Sequence, residues 1–288
     1  MKIFKSKMPE SYELILFGDE QRGNIAMSKK DLDQCIAYIL DGPNRFCIHM
    51  GDALDAFYID DPRYDPATLK ASPLQQISEF IKDMTPLVKE GRLLTCLLGN
   101  HEWSLYKKAG NLTEYACNEL QKAGSDFFLG YGTYSAKIEF IDQKGLQFKT
   151  YVTHGRKSIS SVSPDPVRRQ ANLLHILQRH LEPVFGDTLL MGMGHIHKVL
   201  ISPPIPTLYL TSENGKIKQH YTRPGMGARD FYIPPQNRWY VCTGSFLKTF
   251  YEGVSTYSEM FQYAPIEIGY IKAIIQDREL VDVQGVRI

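Results

Sequence analysis

The chain has 288 residues, of which 43% are hydrophobic and 23% charged, and its formal net charge is +1. These values exclude a largely disordered protein and predict a soluble globular chain with a sizeable core. The near-neutral charge lowers the expectation of a polyanionic partner without excluding a locally basic groove. Five scattered cysteines without a CxxC pair argue against a disulfide framework, and no apolar run has the length of a signal peptide or a membrane span. We therefore expect a cytoplasmic protein with no membrane partner.

Strand and helix patterns alternate through the first two thirds of the chain. The apolar run at residues 13–17, which Gly18 ends, is typical of a strand buried on both faces. Leu32, Cys35 and Ile39 recur at helical spacing after Ser28, a residue type favoured at helix N-caps. The predicted strands are residues 13–17, 45–50, 93–98, 134–140, 146–153 and 188–191, and the predicted helices are residues 28–40, 74–90, 112–123 and 167–181.

Strands and turns dominate residues 200–288, so we expect a second sheet in that part of the chain. We predict a single α/β domain over residues 1–288, with a core at about 11–247 and C-terminal strands at 248–288. The strand–helix part and the strand-rich part should pack as layers.

Short polar blocks stand on or just after five of the apolar runs. They are Gly18-Asp19-Glu20-Gln21, Gly51-Asp52, Gly99-Asn100-His101-Glu102, Thr153-His154-Gly155 and Gly194-His195-Ile196-His197. Carboxylate, amide and imidazole groups without thiolate suit divalent cations such as Mn²⁺, Fe²⁺ or Zn²⁺ and disfavour a structural zinc site. Two neighbouring cations need a shared anionic ligand, for which Asp52 is the candidate.

This ordered series of blocks resembles the calcineurin-like metallophosphoesterase family over about two thirds of the chain, from Asp19 to His197. The resemblance implies a four-layer α/β/β/α sandwich of two mixed sheets flanked by helices. It also implies a metal-dependent phosphoester hydrolase that works by attack of a metal-bound hydroxide. The implied cofactor is two divalent cations, Mn²⁺ foremost, with Fe²⁺, Zn²⁺, Mg²⁺ or Ni²⁺ as alternatives.

Carried over by position, the resemblance implies two overlapping ligand sets. One metal would be held by Asp19, Gln21, Asp52 and His197, and the other by Asp52, Asn100, His154 and His195. His101 matches the family's catalytic histidine, which stabilises the transition state or protonates the leaving oxygen. Glu102 is expected to orient groups around His101, and Arg156 is a candidate for binding the substrate phosphate.

Gln21 departs from the family pattern, which has a histidine at this position. An amide oxygen is a neutral and weaker ligand for a transition metal than imidazole. We therefore expect one tight metal site and one weaker site.

The residues after the second block narrow the choice of substrate. Protein phosphatases of the family usually carry an Arg shortly after this block, and Ala53 to Phe57 contain none. The chain looks more like the bacterial and phage phosphodiesterases, including nucleases of the SbcCD type. The leading prediction is a phosphodiesterase acting on a nucleotide or nucleic acid. The alternatives are a small-molecule phosphomonoesterase, a cyclic-nucleotide phosphodiesterase or a non-catalytic binding or scaffold protein.

Residues 216–239 interleave cations with aromatic rings, as single-strand binders do, although an ordinary amphipathic sheet surface has the same pattern. The sequence does not decide the oligomeric state, and a homodimer is one of the possibilities.

Overall fold

Two mixed β-sheets form the middle of the molecule, as seen in a computed structural model that describes residues 1–61 and 64–288. The strands are β1 (Lys2–Lys7), β2 (Tyr12–Phe17), β3 (Arg45–His49), β4 (Leu93–Cys96), β5 (Ser135–Asp142), β6 (Gly145–Thr153), β7 (Leu190–Met193), β8 (Leu200–Ser202), β9 (Leu208–Glu213), β10 (Lys216–Tyr221), β11 (Trp239–Cys242), β12 (Gly269–Gln276) and β13 (Glu279–Arg287). The helices are α1 (Lys29–Asp41), α2 (Pro73–Lys89), α3 (Asn100–Ala109), α4 (Leu112–Gln121), α5 (Pro166–Leu181) and α6 (Tyr257–Met260).

The first sheet has the strand order β13-β12-β2-β3-β4, and the second has the order β1-β5-β6-β7-β11-β8. The neighbours β2, β3 and β4 run parallel, as do β6, β7 and β11. Parallel neighbours place their carboxyl ends at one edge of a sheet, which is where open α/β sheets carry their sites. β9 and β10 form a separate antiparallel hairpin.

Alternation along β2 explains the layers. Leu14 and Leu16 point into a core shared by the two sheets, whereas Ile15 and Phe17 point into a core shared with the helices α1, α2 and α4. A strand with both faces buried in this way reads as a continuous apolar run. On the far side, α5 packs on β8 and β11 of the second sheet. The result is a four-layer α/β/β/α sandwich, as expected.

Three of the elements given above were not predicted from the sequence: β1, α3 and the short helix α6. β1 pairs in parallel with β5 at the edge of the second sheet, and only two of its residues, Phe4 and Ser6, are shielded from solvent, so its hydrophobic pattern is weak. α3 begins at Asn100, inside a polar block, and buries only Glu102 and Leu105.

The strands of residues 200–288 do not form the one second sheet expected from the sequence, but are divided between the two main sheets and the β9–β10 hairpin. β8 and β11 extend the second sheet, while β12 inserts between β13 and β2 of the first. Alternating apolar residues let a strand join either sheet, so local pattern could not assign the partner. The boundaries at 11–247 and 248–288 stay a prediction. Among the described residues, no helix is long and apolar enough to cross a membrane.

Candidate metal centre

The five polar blocks lie together at the carboxyl ends of β2, β3, β4, β6 and β7. Two of these strands belong to the second sheet and three to the first. The candidate centre therefore lies across the edge where the two sheets meet. Each candidate ligand lies in the turn that follows its strand, except Asn100, which begins α3.

The backbone at these turns is unusual. The φ angles are 55° at Asp19, 49° at Gln21, 49° at Asp52, 71° at His195 and 55° at His197. Non-glycine residues occupy this left-handed region at a cost of about 1–2 kcal/mol each. Five such residues in one cluster are held there by the surrounding structure, and strain of this kind concentrates at functional sites.

Glycine at position 99 allows the third block to approach the second. A Cβ built on Gly99 would lie 2.0 Å from Asp52 Oδ1 and 2.6 Å from Glu102 Oε2. Glu102 accepts hydrogen bonds from Gly99 N at 3.1 Å and from Leu54 N at 2.9 Å. The buried Glu102 carboxyl thus ties the two turns together through their backbones. Burial, together with the nearby charge of Asp52, raises the pKa of Glu102 to about 7.

Asp52, Asn100, His154 and His195 form a close group. His154 Nε2 is 3.2 Å from Asp52 Oδ2 and 3.0 Å from Asn100 Oδ1. Potential ligand atoms of Asp52, His154 and His195 all lie within 4.8 Å of one another. A carboxylate, an amide oxygen and two imidazoles at this spacing fit one divalent cation without rearrangement of the backbone.

The His154 ring has the orientation that a metal ligand needs. Its Nδ1 donates to Met50 O at 2.9 Å, so the neutral ring carries its proton there and turns the Nε2 lone pair to Asp52 and Asn100. Such a backbone acceptor is the usual means of fixing the tautomer of a ligating histidine. Burial lowers the pKa of His154, but the Asp52 carboxylate outweighs it and raises that pKa to about 9.

The same ion pair acts on the carboxylate. Burial works to raise the pKa of Asp52, yet His154 and His101 hold it well below its usual range. The opposite shift occurs at His195, where burial and the neighbouring His154 lower the pKa of the ring. His195 is therefore ready to act as a neutral ligand.

Asp19 and His197 form the second part of the centre. His197 Nε2 is 3.2 Å from Asp19 Oδ1, and His195 N lies 3.1 Å from each carboxylate oxygen of Asp19. Ser245 Oγ donates to Asp19 O at 2.7 Å, which fixes the turn from below. A carboxylate and an imidazole alone make an incomplete metal site, and Asp52 is the candidate for a ligand shared with the neighbouring group.

Gln21 faces His101. Gln21 Nε2 is 3.4 Å from His101 Nε2, and His101 Nδ1 donates to Asp55 O at 2.8 Å. Since Nδ1 carries the proton in the neutral ring, Nε2 can accept from the Gln21 amide. Two contacts of His101 were not predicted from the sequence: the one with Gln21 and the hydrogen bond to the Asp55 carbonyl. Each joins residues that are far apart along the chain.

His101 is positioned on three sides. Its backbone N donates to Asp52 Oδ1 at 3.0 Å, its ring packs at 5.0 Å on Phe57, and its Nε2 is 3.8 Å from Asp52 Oδ2. Burial works to lower the pKa of His101, but the charges of Asp52 and Asp55 raise it overall. The ring can therefore hold a proton beside the candidate ligands.

A buried ion network supports the first turn. Arg22, which is 1% exposed, donates to Glu20 at 2.6 Å and to Asp83 of α2 at 2.5 Å. Asp55 N donates to Arg22 O at 2.9 Å, and Gln21 N donates to Asp52 O at 3.0 Å. The turns after β2 and β3 are thus bonded to each other side by side.

A cleft of about 1120 Å³ opens onto the centre. Gln21, Asp52, Asn100, His101 and the 195–198 turn line it. Arg156 is exposed and is not among the described residues that line the cleft.

No protein-family model and no curated protein matches the chain. Among solved structures, a single-residue variant of Vps29 from Entamoeba histolytica is 13% identical with a TM-score of 0.38, covering 96% of this chain and 98% of that one. YfcE, a phosphoesterase from E. coli, is 10% identical with a TM-score of 0.39, covering 95% and 99%. A dimetal phosphatase from Danio rerio is 9% identical with a TM-score of 0.41, covering 97% and 99%. At TM-scores below 0.5 these likenesses carry no inference about the function of this chain.

Proposed function

We propose that the protein is a metal-dependent phosphoester hydrolase and that its substrate is a phosphodiester of a nucleotide or nucleic acid. The observation that carries the proposal is the close group of Asp52, Asn100, His154 and His195 with His101 at its edge. Turns that were only structural would not supply a ligand type after each of five strands.

The proposed cofactor is a pair of divalent cations, Mn²⁺ foremost. Asp52, Asn100, His154 and His195 would hold one ion, and Asp19, Asp52 and His197 would hold the other with Gln21 at its margin. When bound, such cations polarise phosphoryl oxygens and activate water as a nucleophile.

His101 is the proposed general acid. The Asp55 carbonyl fixes its Nδ1–H, which leaves Nε2 as the atom that faces the centre. Burial works to lower the pKa of His101, but the charges of Asp52 and Asp55 raise it, so the ring holds a proton more readily than a free imidazole. Protonation of the leaving oxygen by a positioned imidazole contributes about 10²–10⁴ in rate.

The test is hydrolysis of bis-p-nitrophenyl phosphate with Mn²⁺, Mg²⁺ or Zn²⁺, followed by linear DNA, RNA, cyclic nucleotides and phosphomonoesters. We expect Mn²⁺-dependent turnover that falls about 10²-fold or more in His101→Ala. His175→Ala is the matched control, since His175 is exposed on α5. Absence of turnover with every metal and substrate contradicts the proposal.

A binding protein is the second candidate, because Gln21 lies against His101 and the site of Asp19, Asp52 and His197 lacks the histidine that the family pattern has at position 21. In that case Mn²⁺ would bind to the protein without hydrolysis of any phosphoester in the panel.

A further inference from the structure

The cleft extends well beyond the candidate metal ligands. Its volume of about 1120 Å³ exceeds the usual upper range of a small-molecule pocket, roughly 1,000 Å³. Residues of the 256–266 segment form one of its walls. A phosphoester group bound at the metal ligands alone would not need this wall.

Hydrogen bonds anchor the 249–266 segment to the candidate metal centre. Ile266 N donates to Thr249 Oγ1 at 2.8 Å, and Thr256 Oγ1 donates to Thr249 O at 2.8 Å. The next residue, Glu267, donates its backbone N to His197 O at 3.0 Å. The wall is therefore held in fixed relation to the turn that carries His195 and His197.

This wall presents apolar side chains to solvent. Met260 is 70% exposed, Phe261 is 55% exposed and Tyr263 is 51% exposed, and all three line the cleft. The rings of Phe261 and Tyr263 lie 6.1 Å apart and are inclined by 30°. Large exposed hydrophobic side chains grouped along a cleft are typical of a ligand-binding surface, and roughly parallel rings suit a flat ligand.

Two lysines also line the cleft. Lys198 follows His197 directly, and Lys248 is held by a hydrogen bond from its backbone N to Ala26 O at 2.9 Å. Within residues 1–61 and 64–288, neither lysine side chain makes a hydrogen bond or ion pair. By contrast, the cleft carboxylates Asp55 and Asp65 accept hydrogen bonds from Asn24 and Ala67 N.

Unpaired cations beside a bound phosphate favour a further anionic group on the ligand. The scissile phosphate would already be neutralised by the metals. The ammonium groups of Lys198 and Lys248 can therefore form ion pairs with a second phosphate.

We propose that the cleft binds a phosphoester that carries a second phosphate and a flat aromatic group. The second phosphate contacts Lys198 and Lys248, and the aromatic group packs on Met260, Phe261 and Tyr263. A nucleoside diphosphate unit has this combination of groups. The inference rests on the proposed function only in assigning the first phosphate to the metal centre.

Binding of three non-hydrolysable ligands tests the proposal. They are the methylene analogues of ribose 5-phosphate, AMP and ADP, titrated calorimetrically into the Mn²⁺-loaded protein at fixed free Mn²⁺. We expect the AMP analogue to bind about tenfold more tightly than the ribose analogue, because a stacked base contributes to affinity. The ADP analogue should bind about fivefold or more tightly than the AMP analogue.

Variants assign each preference to its residues. Lys198→Met combined with Lys248→Met should abolish the preference for ADP over AMP, and Phe261→Ala should reduce the preference for AMP over ribose phosphate. Lys30→Met, an exposed helix lysine, and Phe231→Ala, at a side chain that is 98% exposed, are the controls. Each preference is a ratio within one protein, so a change in folded fraction does not alter it.

Equal affinities of the wild-type protein for the AMP and ADP analogues overturn the proposal, as does an ADP preference that survives in the double lysine variant. The comparison of the AMP and ADP analogues in the wild-type protein tests the proposal even if a variant misfolds. Turnover of bis-p-nitrophenyl phosphate with equal affinities refutes only this inference. The expected order of affinities without turnover refutes only the hydrolase.

Discussion

At the scale of single residues, Gln21 is the proposed ligand that would make the two candidate metal sites unequal. Its amide lies against His101, 3.4 Å from Nε2, while Asp19 and His197 contact each other. A histidine here would supply the basic nitrogen that the first site lacks. Substitution of Gln21 by histidine would also remove the amide that contacts His101, the proposed general acid.

Gln21→His should raise Mn²⁺ content from about one to about two ions per chain, because imidazole binds transition metals more strongly than an amide. Elemental analysis after dialysis against a fixed free Mn²⁺ concentration measures the change. Gln34→His, at an exposed position of α1, is the matched control. Equal Mn²⁺ content in Gln21→His and wild type would show that Gln21 does not limit the first site.

Metal affinity should depend on pH through His154. In the metal-free protein the Asp52 carboxylate overcomes the effect of burial and raises the pKa of His154 to about 9, so the ring is protonated at neutral pH. A ligating imidazole must lose that proton, and Mn²⁺ affinity should therefore rise by up to about tenfold per pH unit until pH reaches about 9. Calorimetry in buffers of different ionisation enthalpy should detect release of about one proton. A pH-independent affinity between pH 6 and pH 9 contradicts this ion pair.

The clustering of the candidate ligand residues could be predicted from the sequence, because each follows an apolar run that ends in a polar turn. The groups that surround them could not. The carbonyl of Asp55 and the bonds of Glu102 to Leu54 and Gly99 depend on how the turns after β3 and β4 meet. Backbone N–H and C=O groups are alike in nearly all residues, so the local sequence pattern does not predict which of them will bond to the site.

At the scale of elements, the turns between strand and helix are set by close packing around Gly99. Substitution Gly99→Ala places a Cβ 2.0 Å from Asp52 Oδ1 and 2.2 Å from Asp52 N. Because backbone atoms cannot move aside cheaply, we expect a loss of about 3 kcal/mol or more in the free energy of unfolding and a loss of bound Mn²⁺.

Gly145→Ala is the control for Gly99→Ala. Gly145 has a φ of 103° with open space around its Cβ position, so only backbone strain of about 1 kcal/mol is added there. Denaturant unfolding of both variants gives the comparison. Similar losses in the two variants would rule out a special role for the contact between Gly99 and Asp52.

Helix α1 shows why most elements could be predicted and α3 could not. In α1 the residues Leu32, Cys35, Ile36 and Ile39 face the core at regular helical spacing. α3 instead buries only Glu102 and Leu105, and its first residue, Asn100, is a candidate ligand. A helix whose inner face serves the site lacks the apolar periodicity that reveals a helix in a sequence.

At the scale of the whole molecule, both ends of the chain belong to the sheets. β1 forms the edge of the second sheet beside β5, and β12 lies between β13 and β2 in the first. Long-range pairing of this kind has no signal in local hydrophobic pattern, which explains why the layers could be predicted and the strand order could not. β1 and β12 lie outside the predicted core at residues 11–247, yet each pairs with a strand inside it.

A chain cut to residues 11–247 tests that boundary. Without β12, the edge of β2 loses its hydrogen-bond partner, and the core between the sheets loses Ile271 and Ile275, which are both buried. Each large buried aliphatic side chain contributes about 1.5–3 kcal/mol, which is a large share of a typical stability of about 5–15 kcal/mol. We therefore expect the shortened chain to lack a cooperative thermal transition by calorimetry. A chain of residues 1–287 is the control, and cooperative unfolding of 11–247 with retained Mn²⁺ binding would show that the C-terminal strands are an appendage.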